Sequence, residues 1–476
     1  MLITIENIMT HSINNYNIIL DTDSYKSSHW LQYPPNTQRI FSYVESRGGK
    51  FDSTVFFGLQ YYIKEYLSRQ ITQDNIDEAA EIWATHGEPF NKEGWEYILK
   101  EHNGFLPVEI YAVPEGTVIP NSNLLATIIN TDNKCFWLPS HLETGLLRSI
   151  WYGTTVATQS YHIKKLISKY FDDTASEESK SSIDFRLHDF GARGVSSYES
   201  SGIGGMAHLL NFKGTDTIQA IRQARKYYNE NMAGFSVPAS EHSSITSWGK
   251  EHEEDAYKNM LKQFQDYNVI SIVSDSYDLF NAVKNIYGKS LKSMIEESKG
   301  TLVIRPDSGT PHEIVLKTVE ALGARFGYTT NEKGYNVLNP KVRVLQGDGI
   351  DYNSIDLILT NLKLNGWSAE NVFFGMGGAL LQGVNRDTQK FACKCSAALI
   401  DNKWVDVFKD PITDKGKQSK KGVLTLYKDK MLGNYSTNRI AHGAETKYDV
   451  VPQLAFNDGI SYCDDSLSNI RERCKV

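Results

Sequence analysis

The sequence is poor in cysteine, in long apolar runs and in surplus positive charge, and each shortage removes a class of protein. Five cysteines in 476 residues, an odd number, do not make a disulfide scaffold and point to a reducing, cytoplasmic setting. Cys393 and Cys395 stand C-x-C with no second pair and no nearby histidine, so they read as same-face strand residues in preference to a zinc site. The longest apolar stretches, such as Val372–Leu381, run to about ten residues and contain glycine, which is too short for a membrane span. The first residues lack a basic start and carry Asn and His where a signal peptide is apolar. Fifty Lys and Arg against 57 Asp and Glu leave a net charge of -7, which speaks against sequence-independent binding to nucleic acid. What is present is ordinary for a soluble globular chain: 40% hydrophobic residues, 22% charged and a mean hydropathy of -0.40. The length predicts two or three compact units, each with a core of its own.

No repeat of solenoid or propeller period occurs, but the middle of the chain has a rhythm. Short apolar runs end in polar or glycine residues at FRLHDF (185–190), LLNFKG (209–214), AGFSV (233–237), NVISIVSD (268–275), TLVIRPD (301–307), VRVLQGD (342–348) and NVFFGMGG (371–378). Helical periodicity fills most gaps, as in Pro311–Leu322. The spacing suits a strand, a loop and a crossover helix, so the pattern predicts a parallel sheet buried on both faces, closed or nearly closed into a β/α barrel. Functional groups are expected at the carboxyl ends of such strands, where His188, Asp189, Lys213, Asp216, Asp275, Arg305, Asp307 and Asp348 stand. Residues 1–150 and 396–476 lack the rhythm. They are expected to form one outer α/β domain around a 151–395 barrel.

Several segments point to chemistry, each with a plainer reading beside it. In IRPDSG, Arg305 offers a planar fork to an amide, carboxylate or phosphate oxygen and Asp307 an acceptor for a sugar diol; the plainer reading is a salt bridge on the rim. QGDGID (346–351) and FGMGGALLQ (374–382) are glycine-rich strand ends able to turn backbone N–H groups toward a phosphate, or else tight turns. His242 in SVPASEHSSIT is a candidate nucleophile, general base or capping residue. Phe190 would stack on a flat ring if it faces a cavity and would be core if it does not. The TDSYKSSHWLQYPPNT segment (22–37), dense in Tyr, His and Lys, is otherwise an irregular arm.

Taken together, TDSYK, QYPPNT, LHDFGxRGVSS, NFKGTDT, SVPAxEHSxIT, VSDSYD, IRPDSG, QGDG and VFKDP, in this order, closely resemble the nicotinamide phosphoribosyltransferases, over residues 18 to 460. The resemblance implies the type II phosphoribosyltransferase fold, an irregular parallel β/α barrel with an outer α/β domain built from both chain ends. It implies condensation of nicotinamide with 5-phosphoribosyl 1-pyrophosphate in NAD salvage, with Mg²⁺, ATP as an activating co-substrate, and a cytoplasmic homodimer with shared active sites.

Carried over residue by residue, the resemblance has Phe190 stack on one face of the pyridine and Tyr25 of the neighbouring subunit on the other. Asp216 would accept from the carboxamide NH₂, with Arg305 and Ser271 near its oxygen. Asp307 would hold ribose hydroxyls, and Gly347, Asp348, Gly377 and Gly378 the 5′-phosphate. Arg193, Arg47, Arg386, Lys394 and Lys409 would meet phosphate or pyrophosphate. His242 would be the phosphorylated histidine, with Asp275 beside it in the catalytic set. The chain departs from the pattern at Ala192, where a bulky aromatic is expected, and at Met376 and Ala379 in the glycine run; an insertion after the SYVESR segment is missing. Two rivals stand against this reading: a nicotinate phosphoribosyltransferase on the same fold, which a carboxylate at Asp216 opposes, and a non-catalytic interaction protein that keeps the fold.

Overall fold

The computed structural model describes residues 16–413, 418–441 and 446–476. The chain divides into two compact units. One comprises residues up to Trp151 together with Arg386–Asp464, and the other comprises Tyr152–Asn385 with Asp465–Val476. A long helix, Leu138–Thr174, carries the chain from the first into the second.

The first unit is built on a seven-stranded antiparallel sheet in the order Lys403–Asp406, Phe391–Ile400, Thr37–Ser46, Leu124–Asn130, Val108–Ala112, Gln453–Asn457, Ile460–Ser461. Residues from both ends of the chain thus interleave in one sheet. Thr37–Ser46, paired on both sides, is an interior strand and is almost wholly buried, which suits its apolar Ile40, Phe41, Tyr43 and Val44. Cys393 and Cys395 share the Phe391–Ile400 strand two positions apart, and all five cysteines are free.

The second unit holds the parallel sheet. Six strands lie in the order Gly214–Thr215, Leu187–Asp189, Val372–Met376, Val342–Gln346, Thr301–Arg305, Val269–Val273, all paired in parallel. The segment 235–239 joins the two edges through one bridge on each side, Gly214 to Phe235 and Ala239 to Ser271. Seven staves therefore follow one another around the ring in chain order, and each overlaps one of the seven apolar runs, although LLNFKG meets its two-residue strand only at Gly214. Near-continuous Val, Ile and Leu in the later strands suit a sheet covered on both faces. The crossover helices are marked by local chemistry: Pro311 opens Pro311–Phe326, and Asp351 with Ser354 forms a capping box on Tyr352–Leu364.

Two boundaries differ from expectation: the first unit takes up the chain again at Arg386, ahead of residue 396, and the polar tail from Asp465 belongs to the barrel unit. The tail hides a short amphipathic helix, Leu467–Arg473, capped by Ser466, with Leu467 and Ile470 buried. Leu467 N donates to Tyr228 O at 3.0 Å, and Arg471 Nε donates to Leu209 O at 2.6 Å. Two apolar residues among seven were too few to reveal a buried face in the sequence. The Ser- and acid-rich stretch 172–182 completes the long helix and enters a 3₁₀ segment, Glu177–Phe185.

Candidate active site

A cavity of about 770 Å³ opens at the carboxyl ends of the barrel strands. Of the expected site residues it gathers Phe190, Arg193, Asp216, Arg305, Asp307, Gly347, Asp348, Gly377 and Gly378. They come from five different staves or the loops that follow them, which only a barrel brings to one place. Ala192 also lines the cavity, at the position where a bulky ring was expected, so the wall is opened there. Met376 is fully buried, and its carbonyl accepts from Phe190 N at 3.0 Å; it supports the aromatic residue from behind.

The Phe190 ring lies over Gly375, where a Cβ would come within 2.0 Å of the ring edge. Glycine here is thus a steric requirement. Gly194 is close-packed too, since a Cβ on it would sit 3.0 Å from Gly378 Cα. Beside Phe190, at 5.1 Å between ring centroids, is His188, whose Nε2 lies 2.9 Å from Asp216 Oδ1. Ser236 Oγ donates to the same oxygen. Burial pushes the Asp216 carboxyl up, but the bond from His188, with Ser236 and the nearby Arg305 charge, outweighs it and holds the group below the usual range. Asp216 is therefore an anion at neutral pH. Arg305 Nε stands 3.7 Å from Asp307 Oδ1, too long for a hydrogen bond, and is buried with no hydrogen-bond partner among the described residues. It is a donor available to a ligand. The glycine-rich ends 347–348 and 377–378 face the same space, and a side chain at Gly378 would meet nothing within 4 Å.

His242 opens a short helical turn after Glu241. Its Nε2 lies 3.1 Å from Asp275 Oδ1, while Asp275 Oδ2 accepts from Asp307 N at 3.0 Å and Ser308 Oγ at 2.6 Å. Burial raises the Asp275 carboxyl, yet the bonds from Ser308, the Asp307 backbone and His242 hold it low. An ionised carboxylate only accepts, so the proton between them sits on Nε2. Glu241 and Ser244 line the cavity, whereas His242 and Asp275 stand beside that lining. Ser271 is buried mid-strand, its N–H and C=O tied to Pro238 and Ser240, and is likewise not among the lining residues.

The remaining expected residues lie in the first unit. Arg47, Arg386, Lys394 and Lys409 line a single cavity of about 600 Å³ there, joined by Lys390 and faced by Glu143. Arg47 Nε donates to Glu45 at 2.8 Å, and its Nη2 is buried with no hydrogen-bond partner among the described residues. Lys390, which the sequence reading missed, has a left-handed backbone (φ 49) that a non-glycine residue rarely adopts; its carbonyl accepts from Arg47 N. Tyr25 is more than half exposed in the 3₁₀ segment Ser24–Leu31, edge-on to His29 at 5.0 Å.

For a magnesium ion, the hard oxygens of Asp307 and Asp348 on the barrel cavity are fitting ligands. A different cluster, His102, Asp132 and Cys135 in the first unit, has ligand atoms within 4.8 Å of one another. It is better explained as a hydrogen-bond knot. Asp132 already accepts from Tyr97, His102 and the Lys134 backbone, and burial pushes the Cys135 thiol up to about 12, leaving it protonated. Among the described residues no helix is long and apolar enough to cross a membrane.

Comparison with known proteins agrees with this geometry. The sequence pattern of the nicotinate phosphoribosyltransferase (NAPRTase) family matches residues 185–450, and that of the nicotinamide phosphoribosyltransferase N-terminal domain matches residues 17–110. The nicotinamide phosphoribosyltransferase of Xanthomonas campestris pv. campestris is 54% identical over 420 residues, covering 88% of this chain and 89% of its own. That of Mycoplasma genitalium is 33% identical, covering 87% and 96%. Among solved structures, the nicotinate-nucleotide pyrophosphorylase of Pyrococcus furiosus superposes with a TM-score of 0.61 at 15% identity, covering 98% of this chain and 97% of that one. Human nicotinic acid phosphoribosyltransferase gives 0.56 at 15% identity, covering 95% and 92%. At such identity the two structures speak for the fold alone.

Proposed function

The chain belongs to the nicotinamide phosphoribosyltransferase family, and from that premise we infer that it is a pentosyltransferase condensing nicotinamide with 5-phosphoribosyl 1-pyrophosphate to nicotinamide mononucleotide and pyrophosphate. The observation that carries the choice of base is the ionised Asp216 in one cavity with Phe190. A carboxylate accepts from an amide N–H and repels the anion of nicotinate. That asymmetry favours nicotinamide over the nearest rival.

In the reaction the ribose C1–O bond to pyrophosphate breaks and a bond to the pyridine nitrogen forms. The leaving group takes the electron pair, and no side chain bonds to the sugar. Phe190 fixes the ring plane, and Asp216 with Arg305 fixes its rotation, so the nitrogen is presented to C1 at high effective concentration. Asp307 is assigned to the ribose hydroxyls. The backbone at Gly347, Asp348, Gly377 and Gly378, with Arg193, is assigned to the 5′-phosphate. Magnesium, when bound, would neutralise charge developing on pyrophosphate. The cations of the first unit are the natural partners of pyrophosphate itself.

Three finer readings belong to the same proposal. His242, with its proton on Nε2 toward Asp275, offers the Nδ1 lone pair to the γ-phosphorus of ATP, releasing ADP; the resulting dianion stands beside the cavity and couples ATP to synthesis. The enzyme works as a homodimer in which Tyr25 and the cation cluster of one subunit complete the barrel site of its neighbour. This is motivated by their lying in a different unit from Phe190 and Asp216. Five free cysteines favour a cytoplasmic setting.

The test is turnover of nicotinamide, and of nicotinate in parallel, with phosphoribosyl pyrophosphate and Mg²⁺, the product identified by mass, for wild type and His242→Ala with and without ATP. Nicotinamide mononucleotide from wild type, stimulated by ATP, and slower ATP-indifferent synthesis by His242→Ala are expected. Preferential use of nicotinate would replace the first reading, and an alanine variant stimulated normally by ATP would remove the second.

A further inference from the structure

Asp216 takes both of its hydrogen bonds on one oxygen. His188 Nε2 and Ser236 Oγ both reach Oδ1, and no donor reaches Oδ2 among the described residues. Two donors on a single oxygen, set by separate strands, fix the plane of the carboxylate and leave its other oxygen for a ligand. His188 is itself fixed. Its side chain is mostly buried, its ring lies beside Phe190, and Nδ1 packs so closely on Gly214 that a Cβ there would come within 2.6 Å. The ring has room only because residue 214 carries no side chain.

We infer that His188 is a specificity-determining residue: it holds Asp216 as an oriented, acceptor-only carboxylate whose Oδ2 takes the amide N–H of nicotinamide and repels nicotinate. This rests on the assignment of Asp216 as the group that reads the amide. Burial pushes Asp216 toward protonation, and the bond from His188 is the largest influence in the opposite direction. Without that donor burial is opposed less and the plane of the carboxylate is no longer fixed, so both the aim of Oδ2 at the amide N–H and the repulsion of nicotinate weaken, and discrimination would fall. Simple structural satisfaction of a buried histidine would leave the discrimination unchanged.

The experiment compares His188→Leu, His188→Gln, Ser236→Ala and Asp216→Asn by the ratio of kcat/KM for nicotinamide to that for nicotinate at saturating phosphoribosyl pyrophosphate, with thermal melting to check folding. His188→Leu should lose at least about tenfold of the ratio, as a higher KM for nicotinamide and a lower one for nicotinate. His188→Gln, whose amide nitrogen can donate from nearly the same place as Nε2, should stay within about threefold of wild type. If His188→Leu keeps the ratio while Asp216→Asn collapses it, the proposal is overturned and the reading of Asp216 survives. If Asp216→Asn also keeps it, the reading of Asp216 fails and takes the proposal with it. Should His188→Leu not fold, Ser236→Ala decides: a smaller loss in the same sense supports the brace, and an unchanged ratio overturns it.

Discussion

The two cavities are built in opposite ways. The barrel cavity is shaped: a phenylalanine laid over a bare strand, a carboxylate pinned by two donors and loops with no side chains to block approach. The cavity of the first unit is charged: three lysines and two arginines outnumber two acids, Glu143 and Asp387. Each contains an arginine with a buried nitrogen that has no hydrogen-bond partner among the described residues, Arg305 in one and Arg47 in the other. The difference matches what each would bind. A neutral flat base must be positioned by fit and by a few directed bonds, whereas pyrophosphate is held by any sufficient gathering of cations. Shape tolerates little substitution, while charge tolerates exchange of one cation for another.

The comparison breaks most visibly in a complementation experiment. Arg47→Ala and Asp216→Ala lie in different cavities, and each should abolish activity alone. If one subunit's cations serve its neighbour's barrel, a mixed dimer carries both lesions in one site and neither in the other. Random re-pairing of equal amounts should then restore about a quarter of wild-type sites. Zero recovery from verified mixed dimers would mean that each site is built within one chain.

Single lesions sharpen the contrast. Lys394→Ala should raise KM for phosphoribosyl pyrophosphate by about tenfold or more, the cost of a charge-assisted hydrogen bond, with KM for nicotinamide unchanged. Gly375→Ala should do the reverse, because a methyl displaces the Phe190 ring, and overpacking costs about 1–3 kcal/mol of stability in addition. Equal effects of both variants on both constants would show that the cavities do not divide the substrates.

The smallest effect expected is on acid stability. Asp275 and Asp216 are both held below the ordinary carboxylate range when folded. Their contribution is thus present above the unfolded value, about 3.9 for Asp, and is lost as pH falls through the folded values. Asp275→Asn should flatten the loss of thermal stability below about pH 4, read as the melting midpoint between neutral and acidic buffers. A slope identical to wild type would mean that Asp275 contributes nothing to it.

Much of the barrel was legible because its later staves are near-continuous apolar runs, and strand ends announce themselves by the polar residue that stops each run. Even the irregular segment 233–237 was visible as AGFSV. The strand-end positions of Asp216, Arg305 and Asp348 were therefore readable from the rhythm alone. What the rhythm does not carry is angle and distance. His188 was placed at a strand end, but nothing in LHDF says that its ring turns to Asp216 rather than to solvent. Gly375 was one glycine among several until the Phe190 ring was seen lying on it. The cations of the first unit come from segments far apart in the chain and share no period, so resemblance alone singled out four of them, and Lys390 was missed. The Leu467–Arg473 helix escaped for a related reason: a two-residue apolar face is indistinguishable from a polar tail before its partner surface is known.

The seventh stave has a consequence of a mechanical kind. Residues 235–239 are joined to their neighbours by one bridge on each side, where most other pairs in the ring share three or more partnered residues. A cylinder with one lightly stitched stave yields there first. That stave carries Ser236, whose hydroxyl touches Asp216, and it leads within a few residues to His242. The hydroxyl that braces the carboxylate and the histidine thus hang on one lightly joined segment, a short span of chain apart.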